Sequence, residues 1–213
     1  MSLNDFQVIP GILEENFAEI EKKLNLIKSF TKKVHIDFID GKFINNKTFL
    51  DPTPFKNFSN ELELEAHLMV EEPIDFLEPL ARAGFKRIIG QIEKMADQTE
   101  FIAKGEGLCD VGLALDGPTP ISALNVSLED LDVLLIMTIR AGFSGEEFNL
   151  KFLEKIKEIK EGIVEIEVDG GINDKTINQA KNIGANCFVS TTYIFNSQNP
   201  SEGYSDLVSL VTS

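Results

Sequence analysis

His35 and Asp37 stand two residues apart in the stretch Val34–Gly41, VHIDFIDG. Val34, Ile36 and Phe38 alternate with them, a period of two that predicts a strand. The imidazole and the carboxylate then share one face, about 7 Å apart. That pairing suits a hard or borderline divalent cation. Asp40–Gly41 ends the strand as a turn. Taken alone, the stretch would also serve as an edge strand with one polar face in water. The only other histidine, His67, interrupts a second apolar run, EAHLMV, and Asp169 follows a third, in EVDGG.

The elements that must position these groups alternate along the whole chain. Strands are predicted at Phe6–Pro10, Val34–Ile39, Leu62–Leu68, Lys86–Ile92, Asp110–Leu115, Asp132–Thr138, Ile163–Val168 and Cys187–Ser190. The sixth is nearly all apolar, as a parallel strand covered on both faces should be. Helical spacing appears at Leu13–Phe30, Ile74–Ala83, Asp97–Lys104, Leu150–Lys160, Asp174–Ile183 and Glu202–Val211, with a weak helix opening at Ile121–Leu124. Eight strand-then-helix units with no linker predict one α/β domain over residues 1–213, a (β/α)8 TIM barrel near its lower size limit. A doubly wound open sheet is the competing architecture, but the first strand–helix turn lacks GxGxxG.

In such a barrel, function collects at the C-terminal ends of the strands. His35, Asp37, His67 and Asp169 would converge there from three strands, as ligands for one divalent ion: zinc, ferrous iron, manganese or cobalt. Asp37 and Asp169 would face each other across the axis. A carboxylate pair so placed can remove a proton on one face of a carbon and return it on the other, while a metal stabilises the enolate oxygen. That suits epimerisation next to a carbonyl. Gly142-Phe143-Ser144-Gly145, Gly170-Gly171 and Thr191-Thr192 follow strands six, seven and eight, where barrels commonly bind phosphate. Arg140 is a further candidate phosphate contact, or an ion-pair partner for Glu146 or Glu147.

The net charge of −15 and pI of about 4.5 argue against nucleic acid and anionic membranes as partners. An anionic substrate would have to be held by local dipoles. No run is apolar and long enough to span a bilayer, and no signal peptide is evident. Cys109 and Cys187 sit at the edges of apolar runs, as buried reduced thiols would, so a cytoplasmic location is expected.

Several blocks resemble the ribulose-phosphate 3-epimerase family. VHIDFIDGKFINN is similar to its HxDxMDGxFVPN, and EAHLMVEEP to its DVHLMVxxP. GLALDGPTPI, LIMTIRAGFSGEEF, EVDGGIN and GANCFVSTTYIF resemble four further blocks, so the likeness runs from about residue 8 to 196. It implies a ribulose-phosphate-binding barrel with His35, Asp37, His67 and Asp169 as metal ligands, and with Asp37 and Asp169 as acid and base. It also implies Met69 and Met137 lining the enediolate pocket, His67 beside the substrate, and a homo-oligomer. The chain departs from the pattern in several places. PSIL is Pro10-Gly11-Ile12-Leu13, which lacks a substrate-facing hydroxyl. HxE is Gln91-Ile92-Glu93, and the MDG methionine is Ile39. The PGFGGQ loop is Ala141-Gly142-Phe143-Ser144-Gly145-Glu146, and the Gly-Ser pair after strand eight is Thr191-Thr192.

The expected activity is inversion of C3 of a phosphorylated ketose, most simply D-ribulose 5-phosphate to D-xylulose 5-phosphate. The rivals are the same chemistry on another ketose phosphate, such as a hexulose 6-phosphate, and a metal-bound barrel that binds a ligand without turnover.

Overall fold

Alternation of side chains between two faces shapes the strands of this chain. The computed structural model describes residues 6–141, 147–159 and 164–212. Eight strands, β1 (Gln7–Ile12), β2 (Lys33–Ile39), β3 (Glu63–Met69), β4 (Arg87–Gln91), β5 (Asp110–Leu115), β6 (Val133–Met137), β7 (Glu165–Asp169) and β8 (Cys187–Ser190), close in chain order. Each pairs with its neighbours in parallel, and β8 returns to β1. The fold is the expected (β/α)8 barrel.

One row of each strand packs outward under the helices: Val34, Ile36 and Phe38 on β2, Leu64, Ala66 and Leu68 on β3. The other row lines the lumen, which is divided. Ile39, Met69, Ile89, Ala114, Leu135 and Met137 belong to one apolar cluster, and Ile9, Cys187 and Val189 form a smaller one. The side of β2, β3 and β7 is polar, with His35, Glu65, His67 and Glu167 all fully buried. The polar face of VHIDFIDG therefore points into the barrel, not into water.

Six α-helices are seen among the described residues: α1 (Phe17–Ile27), α2 (Leu77–Ala83), α3 (Gln98–Gly105), α4 (Ile177–Ile183), α5 (Thr192–Phe195) and α6 (Pro200–Thr212). Caps set the limits of several. Asn16 Oδ1 accepts from Glu19 N–H at 3.1 Å, so α1 begins at Phe17 rather than Leu13. Its buried residues, Ile20, Leu24 and Ile27, keep the expected spacing. Gly84 (φ 92°) and Gly184 (φ 119°) end α2 and α4 in the left-handed region.

Two helical expectations need correction. Leu150–Glu158 winds as a 3-10 helix, which puts Leu153 and Ile156, three apart, on the buried side. From the same helix the Lys155 ammonium donates to the carbonyls of Asp116, Gly117 and Thr119, in the loop after β5. In that connection the weak helix is only two short 3-10 turns, Ile121–Ala123 and Leu128–Asp130. The Gln98 side chain bonds Ala123 O and Asn125 N there, satisfying backbone groups that a helix would otherwise pair.

Candidate active site

Strand register brings the four candidate ligands together. On β2, His35 and Asp37 point inward one layer apart. Asp37 is level with His67 on β3, and β7 carries Asp169 level with Met137. One ligand atom from each of His35, Asp37, His67 and Asp169 lies within 4.8 Å of the others. Asp37 Oδ1 is the meeting point, 3.3 Å from His35 Nε2 and 3.0 Å from His67 Nδ1.

Each imidazole is held from behind. His35 Nδ1 donates to Glu65 Oε1 at 2.8 Å, with Glu167 Oε1 at 3.2 Å. His67 Nε2 donates to Gln91 Oε1 at 2.8 Å. In the neutral rings these bonds leave lone pairs on His35 Nε2 and His67 Nδ1, both directed at Asp37. His35 Nε2 is buried and has no hydrogen-bond partner. Acceptors this close require positive charge between them, so the donor set fits a divalent cation.

The electrostatics agree. Burial opposes ionisation of Asp37, but the adjacent His35 and His67 overcome it and hold the carboxyl well below its usual range. Burial, then the nearby Asp37 charge, pushes Asp169 up to about 7. Burial also disfavours a charged His35, yet Asp37, Glu167 and Glu65 around the ring raise its pKa well above 6.5. Two carboxyls in one site thus differ in proton affinity, the condition for an acid and base pair.

Below the ligands lies a cluster that the sequence motifs do not single out. Arg87 pairs with Glu165 and with Glu65, the latter at 3.4 Å, and Lys33 Nζ lies 3.9 Å from Glu65. A signal for it exists: Lys33, His35 and Asp37, then Glu165, Glu167 and Asp169, repeat a polar residue at every second position.

The remaining candidates are spread around the mouth. Met69 and Met137 are buried in the same lumen cluster as Ile39. Gly170 (φ 111°) and Gly171 (φ 65°) turn the chain after β7, and a Cβ on Gly171 would lie 3.1 Å from Phe148 N. Thr191 is half-buried and Thr192 exposed at the start of α5, and Arg140 is exposed after β6. Gly142, Phe143, Ser144, Gly145 and Glu146 lie outside the described residues. Cys109 and Cys187 are free thiols, half-buried and buried. No helix of the described residues is long and apolar enough to cross a membrane.

Comparison with known proteins identifies the family and the fold. Residues 7–195 match the model of the ribulose-phosphate 3 epimerase family. The ribulose-phosphate 3-epimerase of Schizosaccharomyces pombe is 32% identical over 94% of this chain and 92% of its own length. That of Bacillus subtilis is 30% identical over 94% and 97%. Among solved structures, 3-keto-L-gulonate-6-phosphate decarboxylase from Vibrio cholerae superposes with a TM-score of 0.71 at 11% identity, covering 98% of both chains. Orotidine 5'-phosphate decarboxylase from Pyrococcus horikoshii gives 0.66 at 14% identity, covering 97% of this chain and 100% of its own. These last two share the barrel fold. On the sequence matches, this chain belongs to the ribulose-phosphate 3-epimerase family of isomerases.

Proposed function

We propose that this protein inverts C3 of a phosphorylated ketose, most simply D-ribulose 5-phosphate to D-xylulose 5-phosphate, with Asp37 and Asp169 as its two proton-transfer groups. The observation that carries the reading is the convergence of His35, Asp37, His67 and Asp169 within 4.8 Å. These four residues would hold one divalent ion, which supplies charge stabilisation to the substrate oxygens. One carboxylate takes the C3 proton, and the C–H electron pair moves into a C2–C3 double bond. The C2–O π pair moves onto the C2 oxygen to give an enediolate, a flow that reverses when C3 is reprotonated. The other carboxyl returns a proton to the opposite face of C3. Met69, Met137 and Ile39 keep the lumen around the enediolate apolar. Relatives named for a ribulose phosphate support the substrate class. Phosphate would bind at Gly170-Gly171 and the Thr192 hydroxyl, with Arg140 and Gly142-Phe143-Ser144-Gly145 as further candidates.

A panel of ketose phosphates in deuterated water, with divalent metal present, tests the reading. Deuterium should enter C3 of D-ribulose 5-phosphate with inversion. Asp37→Asn and Asp169→Asn should each abolish inversion, and one of them should still exchange the proton of a single epimer. Wild-type protein that exchanges C3 of no ketose phosphate would rule the activity out.

A further inference from the structure

Gly11 faces the lumen from β1, in register with His35 on β2. A Cβ at this position would overlap Thr191 Oγ1 and lie 2.8 Å from Val189 Cγ1. The room that a side chain at residue 11 would fill is therefore taken by the hydroxyl of Thr191, which comes from the end of β8 on the other side. That hydroxyl does not cap α5, and it has no hydrogen-bond partner among the described residues. A half-buried, unpaired hydroxyl next to Gly11, which is level with His35, is poised for a ligand oxygen.

We infer that Thr191 is a specificity-determining residue that gives its hydroxyl to the sugar chain beside the four candidate ligands, and that Gly11 makes room for it. The family pattern has serine at the position of Gly11 and glycine at that of Thr191. This chain carries the same two features exchanged between β1 and β8, so the hydroxyl reaches the substrate from the neighbouring strand. The Thr191 hydroxyl is thus assigned to the sugar end of the site. The inference rests on the epimerase reading.

Steady-state kinetics and thermal melting of four variants test it. Thr191→Val keeps the shape and removes the hydroxyl. It should lower kcat/KM for D-ribulose 5-phosphate roughly tenfold, equivalent to about 1.4 kcal/mol, with little change in Tm. Gly11→Ser alone should lower both Tm and activity, because the new side chain meets Thr191. Thr191→Gly should match Thr191→Val in activity. The double variant Gly11→Ser/Thr191→Gly should recover both Tm and kcat/KM to near the wild type. Wild-type kcat/KM in Thr191→Val, or a double variant no better than Gly11→Ser, would overturn the inference. An active wild type keeps either failure distinct from failure of the epimerase reading.

Discussion

Gln91 holds His67 from the side away from Asp37, and its Nε2 is itself buried without a partner. Gln91→Leu would leave His67 Nε2–H unpaired and free the ring to turn. Removing such a support typically costs roughly 10–100-fold in metal affinity. Titration against a chelator should show that loss, and unchanged affinity would mean that Gln91 does not orient the ring. Asp40 illustrates a different role. Its carboxylate accepts from Lys42 N, Phe43 N and Glu71 N at 2.7, 2.8 and 2.9 Å, joining the loops after β2 and β3. Slight burial opposes ionisation, but these bonds lower its pKa from 3.8. A depressed folded pKa contributes stability above the unfolded value, lost as pH falls through the folded one. Urea unfolding should therefore show less acid destabilisation below about pH 4 in Asp40→Asn than in the wild type. An identical acid limb would remove Asp40 from the account. The four candidate ligands were legible because each breaks or ends an apolar run. Glu65, Glu167 and Gln91 were not, because their roles depend on which strand lies alongside, and spacing within one strand does not reveal that.

Strands were easier to read than the segments between them. All eight were legible because a strand's pattern is local, and a parallel barrel repeats it around the ring. The connections obey longer-range contacts. Leu150–Glu158 carries a helical pattern, but Lys155 is drawn into the carbonyls after β5, a pull no local pattern encodes. The link between β2 and β3 offers a sharper case. Thr53–Asn57 forms a 3-10 turn there, and it delivers Phe55 fully buried among aromatic rings. Phe17, Phe38 and Phe85 lie 5.4, 5.8 and 5.3 Å from it, centroid to centroid. Phe38 lies on β2 between Asp37 and Ile39, so this cluster backs the strand that carries two candidate ligands. Phe55→Ala should cost about 3–5 kcal/mol, the usual range for a large buried ring. Equilibrium denaturation would measure it. A loss under about 1 kcal/mol would show that the cluster repacks around the gap.

At the scale of the molecule, charge and function pull in opposite directions. The chain carries 35 acidic and 20 basic residues, and its net charge is −15. A phosphorylated ketose is an anion, so the mean field opposes its approach. Within the buried site the balance would differ: a divalent ion held by His35, Asp37, His67 and Asp169 would attract the substrate oxygens at contact range. The long-range part of the field is screened over about 10 Å at 0.1 M salt and about 30 Å at 0.01 M, while contacts within the buried site are screened much less. Raising ionic strength should therefore remove more repulsion than attraction. The expected result is a kcat/KM for D-ribulose 5-phosphate that rises roughly two- to threefold between about 0.01 and 0.15 M salt. Enzymes that steer their substrates electrostatically show the reverse, a steep fall. Stopped assays across that range, with metal held saturating and an uncharged viscosity control, would read the sign directly. A fall with salt would mean that the local field at the mouth extends far enough to guide the anion in, despite the net charge of the whole chain.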